Sequence, residues 1–334
     1  MRIIITFLYL VVLKAKAFLY KKAVLRKNTL LCRVISVGNL TAGGTGKTPV
    51  VAYIAKLLAG KKRTAILTRG YKRKNKAEVL DVKEGADPVE CGDEAVLLAD
   101  STGVPVIAAV NRLKGGEYAI LKYNSEVCIL DDGFQRRFSL SRDLEIVVVD
   151  ASNPFGNGKL LPAGILREKT ESLSAAEVII LTKTDEAVNI EELRETVKKL
   201  SSRALLLESI YEPVELYNVF DKNDKLALSF VQGKKITALS GVGNPKYFKK
   251  LLSDFKPSEI HELPYPDHYA YGEPDLADIN ERAAESEIII TTEKDGVKLA
   301  RFSKEKINKK LFALRVTLKI LNGEEEFKRR VDAV

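Results

Sequence analysis

Short apolar runs punctuate the chain, several of them closed by glycine or an acidic residue. RVISVG (33–38), RTAILTRGY, VPVIAAV, EVCILDD, LEIVVVDA and AEVIILTKTD are rich in β-branched residues and apolar throughout rather than alternating. That pattern predicts strands buried on both faces. Longer stretches of helical character separate them. The clearest is PVVAYIAKLLAG, where Pro49 suits a first turn and Gly60 suits a helix end. Strands alternating with helices predict a parallel sheet covered by helices on both faces. Near Ser201 the rhythm changes. RALLLESIYEPVELYNVF has two apolar runs with no helix between them, which predicts a short two-stranded connector. A second alternation then begins with KKITALSG and continues through EIHELPY, EIIITT and LFALRVTLKI. The expected organisation is a helix within 1–28, an α/β unit over 29–203, a connector over 204–232 and a second α/β unit over 233–334.

The N-terminus breaks this pattern. MRIIITFLYLVVLKAKAFLYKKAVL is the most apolar part of the chain. As a helix its core, Ile3 to Leu13, would cover roughly 16 Å, about half the apolar thickness of a bilayer. Three readings compete: a secretory signal before Ala15-Lys16-Ala17, a helix lying in a membrane interface with its lysines among anionic headgroups, and a helix packed on its own domain.

Composition narrows the choice. With 334 residues, 46% hydrophobic and 30% charged, the chain is long enough for two α/β units and ordinary for a globular protein. The net charge of +9 suits an anionic partner. Basic residues concentrate between Lys14 and Lys27 and between Lys61 and Lys76. No aromatic reading surface or reader motif accompanies them, so phosphorylated ligands or an anionic membrane are expected rather than nucleic acid. Cys32, Cys91 and Cys128 are far apart in sequence and are expected to be free, buried thiols.

Candidate chemistry begins at SVGNLTAGGTGKTPV. A phosphate-binding loop reads G-x-x-x-x-G-K-[ST] between a strand and a helix. Thr41-Ala42-Gly43-Gly44-Thr45-Gly46-Lys47-Thr48 supplies everything but the first glycine, with Gly38 upstream offering local freedom. Lys47 is expected on the β- and γ-phosphates of a nucleotide and the Thr48 hydroxyl on Mg²⁺, which predicts a P-loop NTPase-like sheet. The Mg²⁺ carboxylates are expected at Asp131 and Asp132, where EVCILDD ends, with Asp150 as a competitor. Asp93 and Glu94 in CGDEAVLLA either cap a helix or supply a base and a further metal-shell carboxylate. Only two histidines exist, His261 and His268, both in IHELPYPDHYAYGEPD. The prolines make this a stiff non-helical loop, and His268 beside Asp267 is the candidate proton handler.

SVGNLTAGGTGKTPV, TRGYKRK, GDEAVLLA, DDGFQRR, LPAGILRE, SGVGNPKYF, PYPDHYAY and TTEKDGVKL occur in this order along nearly the whole chain. The set resembles the tetraacyldisaccharide 4'-kinase family, the lipid A pathway kinases of Gram-negative bacteria. The resemblance implies transfer of the ATP γ-phosphate to the 4'-hydroxyl of a tetraacylated disaccharide 1-phosphate, with Mg²⁺, at the inner face of the inner membrane. It implies two α/β/α domains joined by a two-stranded linker, with the site in the cleft between them. Asp93 would be the base, tuned by His268. Glu94, Asp131 and Asp132 would surround Mg²⁺ and the transferring group. Arg167 falls on a family motif near the site, and Arg69 and Arg136 are further candidates for the substrate. Arg136 stands where the family usually has His, so a proton-transfer role there is not carried over. Use of ATP disfavours the secretory reading of the N-terminus, leaving the interfacial helix as the expectation. Nothing in the sequence calls for an obligate protein partner.

Three rivals remain in view. LTKTD resembles a guanine-reading motif with Thr182 in place of Asn, which suggests a P-loop GTPase or metallochaperone. GVGNPK fails a dinucleotide fingerprint because Lys246 stands where Gly is needed. A structural membrane-associated protein would have no use for a phosphate loop and paired acids.

Overall fold

The computed structural model describes residues 2–22 and 24–334; within its first helix, side chains are described at Ile5, Thr6, 8–11, Ala15 and 18–20. That helix is α1 (Arg2–Lys21). The chain continues through β1 (Arg33–Asn39), α2 (Lys47–Leu58), β2 (Thr64–Thr68), β3 (Val79–Val82), α3 (Pro88–Cys91), α4 (Asp93–Thr102), β4 (Val106–Ala109), α5 (Arg112–Tyr123), β5 (Val127–Asp131), β6 (Leu144–Asp150), β7 (Val178–Thr182) and α6 (Ile190–Leu200). Then follow β8 (Leu205–Asn218), β9 (Lys225–Leu226), β10 (Lys235–Ser240), α7 (Pro245–Ser253), β11 (Glu259–Pro264), α8 (Glu273–Arg282), β12 (Ile288–Thr292), α9 (Glu293–Leu299), β13 (Leu311–Ile320) and α10 (Glu324–Asp332).

The strands form one 13-stranded sheet in the order β11-β10-β12-β13-β8-β7-β6-β1-β5-β2-β4-β3, with β9 paired to β8. Strands β7-β6-β1-β5-β2-β4 are parallel, and β3 closes the edge antiparallel to β4. The parallel strands carry the continuous apolar runs, and β2, β4, β5 and β7 are buried along their whole length. Helix α2 lays Val50, Val51, Ile54, Ala55 and Leu58 on this sheet, all fully buried. Each such aliphatic side chain contributes about 1.5–3 kcal/mol relative to exposure.

The connector differs from the sequence expectation. RALLLESIYEPVELYNVF is not a hairpin; it is almost wholly one 14-residue strand, β8. Its first residues pair parallel with β7, and its remainder pairs antiparallel with β13, the last strand of the chain. The two-stranded ribbon therefore joins segments about a hundred residues apart, a pairing that local pattern does not reveal. LFALRVTLKI serves both this ribbon and β12.

Helix α1 packs along one side. Tyr9 and Leu10 lie against the cluster that contains Leu160, Leu166 and Ile179, and Tyr20 stacks on Phe138. Ile5, Leu8, Val11, Phe18 and Leu19 remain exposed, Leu8 and Phe18 by 57% each. No helix among the described residues is long and apolar enough to cross a membrane.

Candidate active site

The phosphate-loop residues occupy the turn from β1 into α2, at the carboxyl ends of the parallel strands. Asn39 organises the turn from inside: its side-chain amide donates to the Thr41 carbonyl and to Thr45 Oγ1, both at 2.8 Å. Thr41, placed where a glycine is usual, forms an antiparallel bridge with Leu166. A β-branched residue suits that extended position. Gly38 does not supply the freedom expected of it. It lies within β1, and a Cβ there would come within 2.4 Å of Phe134 Cβ, so its role is close packing. Gly46 does need to be glycine: its φ is 86°, and a Cβ would sit 1.8 Å from the Tyr211 hydroxyl. From β7, Thr182 Oγ1 donates to the Thr45 carbonyl at 2.9 Å, and Lys183 Nζ donates to the Gly44 carbonyl at 3.1 Å.

The loop opens into a cleft of about 1110 Å³ between the two halves of the sheet. All of Thr41–Thr48 line it, with Arg69, Glu94, Asp131, Asp132, Arg167, His268 and Lys294. Two of the expected residues do not line it. Asp93 lies behind His268, and Arg136 sits on the short 3-10 turn after Gly133.

Two charge clusters face each other in this cleft. The first is built on Asp132, at φ +56° just past the tip of β5. Lys47 Nζ lies 3.6 Å from Asp132 Oδ1, and Arg167 donates to both carboxylate oxygens at 2.7 and 3.0 Å. Burial opposes ionisation of Asp132, but Lys47 and Arg167 overcome it and hold the carboxyl at about 2. Arg167 is itself fixed from α1, because the Tyr9 hydroxyl donates to its carbonyl at 2.8 Å.

Asp131 behaves oppositely. It is 3% exposed and accepts from Thr68 Oγ1 at 3.1 Å. Burial, then the Glu94 charge, push its carboxyl up to about 6. Buried Arg112 donates to the Asp131 carbonyl at 3.1 Å.

The second cluster brings distant segments together. His268, at φ +56° in the loop after β11, places Nδ1 3.0 Å from Asp93 Oδ2 and Nε2 3.0 Å from Lys294 Nζ. A lysine ammonium can only donate, so Nε2 accepts and the ring proton sits on Nδ1, given to Asp93. Lys294, the second residue of α9, also faces Glu94 Oε1 at 3.5 Å and Asp267 Oδ1 at 3.3 Å. Burial opposes ionisation of Asp93, and the His268 hydrogen bond with the Lys294 charge outweighs it, holding the carboxyl below its ordinary value. Burial also opposes the Lys294 charge, and Glu94 and Asp93 raise its pKa regardless.

The rival candidates are engaged elsewhere. Asp150 is ion-paired with Lys183. His261 is exposed on the outermost strand, β11. Asp185, the would-be guanine reader, accepts from Lys250 Nζ at 2.7 Å and from the Tyr247 hydroxyl at 3.1 Å, joining the two halves of the sheet.

The family model described as tetraacyldisaccharide-1-P 4'-kinase matches residues 2–334. The chain belongs to the tetraacyldisaccharide 4'-kinase family. Among its relatives, the tetraacyldisaccharide 4'-kinase of Syntrophus aciditrophicus is 43% identical over 301 residues, 85% of this chain and 80% of the relative. That of Halothermothrix orenii is 34% identical over 345 residues, 97% of this chain and 88% of the relative. LpxK from Aquifex aeolicus, solved in complex with ATP, matches with a TM-score of 0.78 at 33% identity, over 99% of this chain and 97% of that one.

Membership in this kinase family makes the residues missed by sequence reading worth naming. Lys294 was quoted within TTEKDGVKL without a role. The signal was available: EIIITTEK is an apolar strand running into a charged pair, as EVCILDD is in the first half. Asn39 and Lys183 had no comparable signal, because their work is to brace backbone.

Proposed function

We propose that this chain transfers the γ-phosphate of ATP to the 4'-hydroxyl of tetraacyldisaccharide 1-phosphate. The observation that carries the reading is the meeting, in one cleft, of the Lys47–Asp132–Arg167 cluster and the Asp93–His268–Lys294 chain. The loop N–H groups and Lys47 hold the β- and γ-phosphates at the N-terminus of α2. Asp93, screened from the cleft by His268, takes the proton of the attacking hydroxyl when His268 leaves its Oδ2. Arg69, on the cleft wall, contacts the acceptor. The two halves close about the β8–β13 ribbon, with the boundaries given above.

The donor set fits Mg²⁺. Burial and the neighbouring Glu94 charge raise the proton affinity of Asp131, as happens to an acid placed where a cation is needed. Asp132 is less suited as a ligand because Arg167 occupies both of its oxygens. Thr48, Asp131 and Glu94 would hold the ion. Among the described residues no three His, Cys, Asp or Glu side chains form a metal cluster, so the remaining ligands would be phosphates and waters. When bound, the ion would neutralise charge on the phosphate oxygens.

Radiolabelled ATP incubated with tetraacyldisaccharide 1-phosphate should give a labelled lipid bearing one more phosphate. Release of label only as inorganic phosphate, with GTP preferred, would favour the GTPase reading.

The membrane surface is the second partner. We infer that α1 lies in the bilayer interface, with its described apolar face in the lipid and its other face on the protein. Leu8→Glu with Phe18→Glu should abolish co-sedimentation with anionic vesicles while leaving the melting temperature unchanged. Equal sedimentation of variant and parent would overturn this. Deleting the helix is a poorer test, since it also removes the Tyr9 bond to Arg167.

A further inference from the structure

Of the three cysteines, far apart in sequence, two meet in the fold. Cys32 precedes β1 and Cys128 lies within β5, the strand beside it, with Val34 opposite Cys128 in the register. Their Sγ atoms are 3.4 Å apart across 96 residues of chain. Both side chains belong to the apolar layer under α5, with Leu30, Val34 and Ala119.

The two thiols differ in access. Cys128 is fully buried, whereas Cys32 is half-buried and lines a second cleft of about 680 Å³. This cleft lies at the amino-terminal ends of β1 and β5, the opposite end of these strands from the phosphate loop. Its wall carries Arg33 and Arg63, ion-paired with Asp143 and Glu126 of the same wall, and Arg142, paired with Glu145. A small oxidant in solvent can therefore reach one sulfur, and the other waits behind it. When Cys32 ionises, Cys128 must act as the hydrogen-bond donor. That bond favours the Cys32 thiolate and holds the Cys128 thiol protonated, with burial adding to the second effect.

We propose that Cys32 and Cys128 are a peroxide-responsive pair that closes to a reversible intramolecular disulfide. The Cys32 thiolate attacks one peroxide oxygen, the O–O bond breaks, and the leaving hydroxide takes a proton to become water, leaving Cys32 as sulfenic acid. Cys128 then attacks that sulfur, its own proton leaves with the departing hydroxyl as a second water, and the S–S bond forms. Two thiols and one hydrogen peroxide thus give one disulfide and two waters. The sulfurs, 3.4 Å apart, need only approach from van der Waals contact, Cys32 from the segment leading into β1 and Cys128 from β5. The bond would tie the root of β1, which leads into the phosphate loop, to β5, which ends in Asp131.

The test treats the full-length reduced protein with hydrogen peroxide, alkylates it under denaturing conditions and maps the peptides by mass spectrometry. Alkylatable thiols should fall from three to one, leaving Cys91, with a linked Cys32–Cys128 peptide that dithiothreitol releases. In Cys128→Ala the reaction should stop at Cys32 sulfenic acid, trapped by dimedone. In Cys32→Ser, Cys128 and Cys91 should both stay alkylatable under the same dose. Three intact thiols in the parent, Cys32 carried on to sulfinic acid without a linked peptide, or loss of the Cys128 thiol in Cys32→Ser would each overturn the proposal.

Discussion

Lys47→Ala is expected to lower kcat by about two orders of magnitude or more, a loss of about 2.7 kcal/mol of transition-state stabilisation or greater. The size follows from what the side chain faces. Its ammonium is 3.6 Å from Asp132, at the N-terminus of α2, where the glycine loop turns into the helix. The fold should survive the change. Asp132 keeps both hydrogen bonds from Arg167, and although its carboxyl would rise from about 2 without Lys47, that pair keeps it ionised at neutral pH. Asn39, Thr182 and Lys183 still brace the loop backbone. A steady-state assay with saturating ATP, read beside a thermal melt, separates the two effects. Turnover within tenfold of the parent at an unchanged melting temperature would remove Lys47 from phosphate binding.

How far the sequence carried this picture depends on the range of each signal. The strands of the first half were legible because burial on both faces writes a continuous apolar run. The loop and its acids were legible because phosphate binding fixes residue types over eight consecutive positions. The β8–β13 ribbon was not, since pairing between Leu314 and Leu216 leaves no mark on either segment alone. Gly38 misled for a related reason: a glycine needed for packing against Phe134 looks the same as one needed for a turn. The cysteines were expected as isolated thiols, and only the register of β1 on β5 brings two of them together. His268 and Asp93 were linked through the family resemblance, but Lys294, which fixes the histidine's proton on Nδ1, had to be seen in place.

Asp93→Asn is expected to lower kcat by about two orders of magnitude or more, on the scale of a lost general base. Asparagine keeps the shape and can still accept from His268, but its amide NH2 then replaces the oxygen that accepts from the Glu94 N–H, so the change removes the charge and one backbone hydrogen bond together. The pH profile identifies which group receives the proton. In the parent, His268 and Lys294 hold the Asp93 carboxyl below its ordinary value of 3.8 against the opposing effect of burial. A base with so low a pKa is weak, which suits a loose phosphoryl transfer in which the hydroxyl proton leaves late. The sign follows directly: Asp93 is ionised at neutral pH and gains its proton only in acid, so the acid limb of kcat should fall below about pH 4. Saturating Mg·ATP keeps Asp131, whose own value is about 6, from shaping this limb, because a bound cation opposes its protonation. His268→Ala removes the largest influence that lowers Asp93 and leaves burial less opposed, so the limb should move to higher pH while some turnover remains. The competing arrangement makes His268 the acceptor and Asp93 its orienting partner, as in hydrolase triads. Lys294 would then have to leave Nε2, and the parent's acid limb would vanish in His268→Ala instead of moving. Disappearance of the limb in that variant would reassign the base from Asp93 to His268.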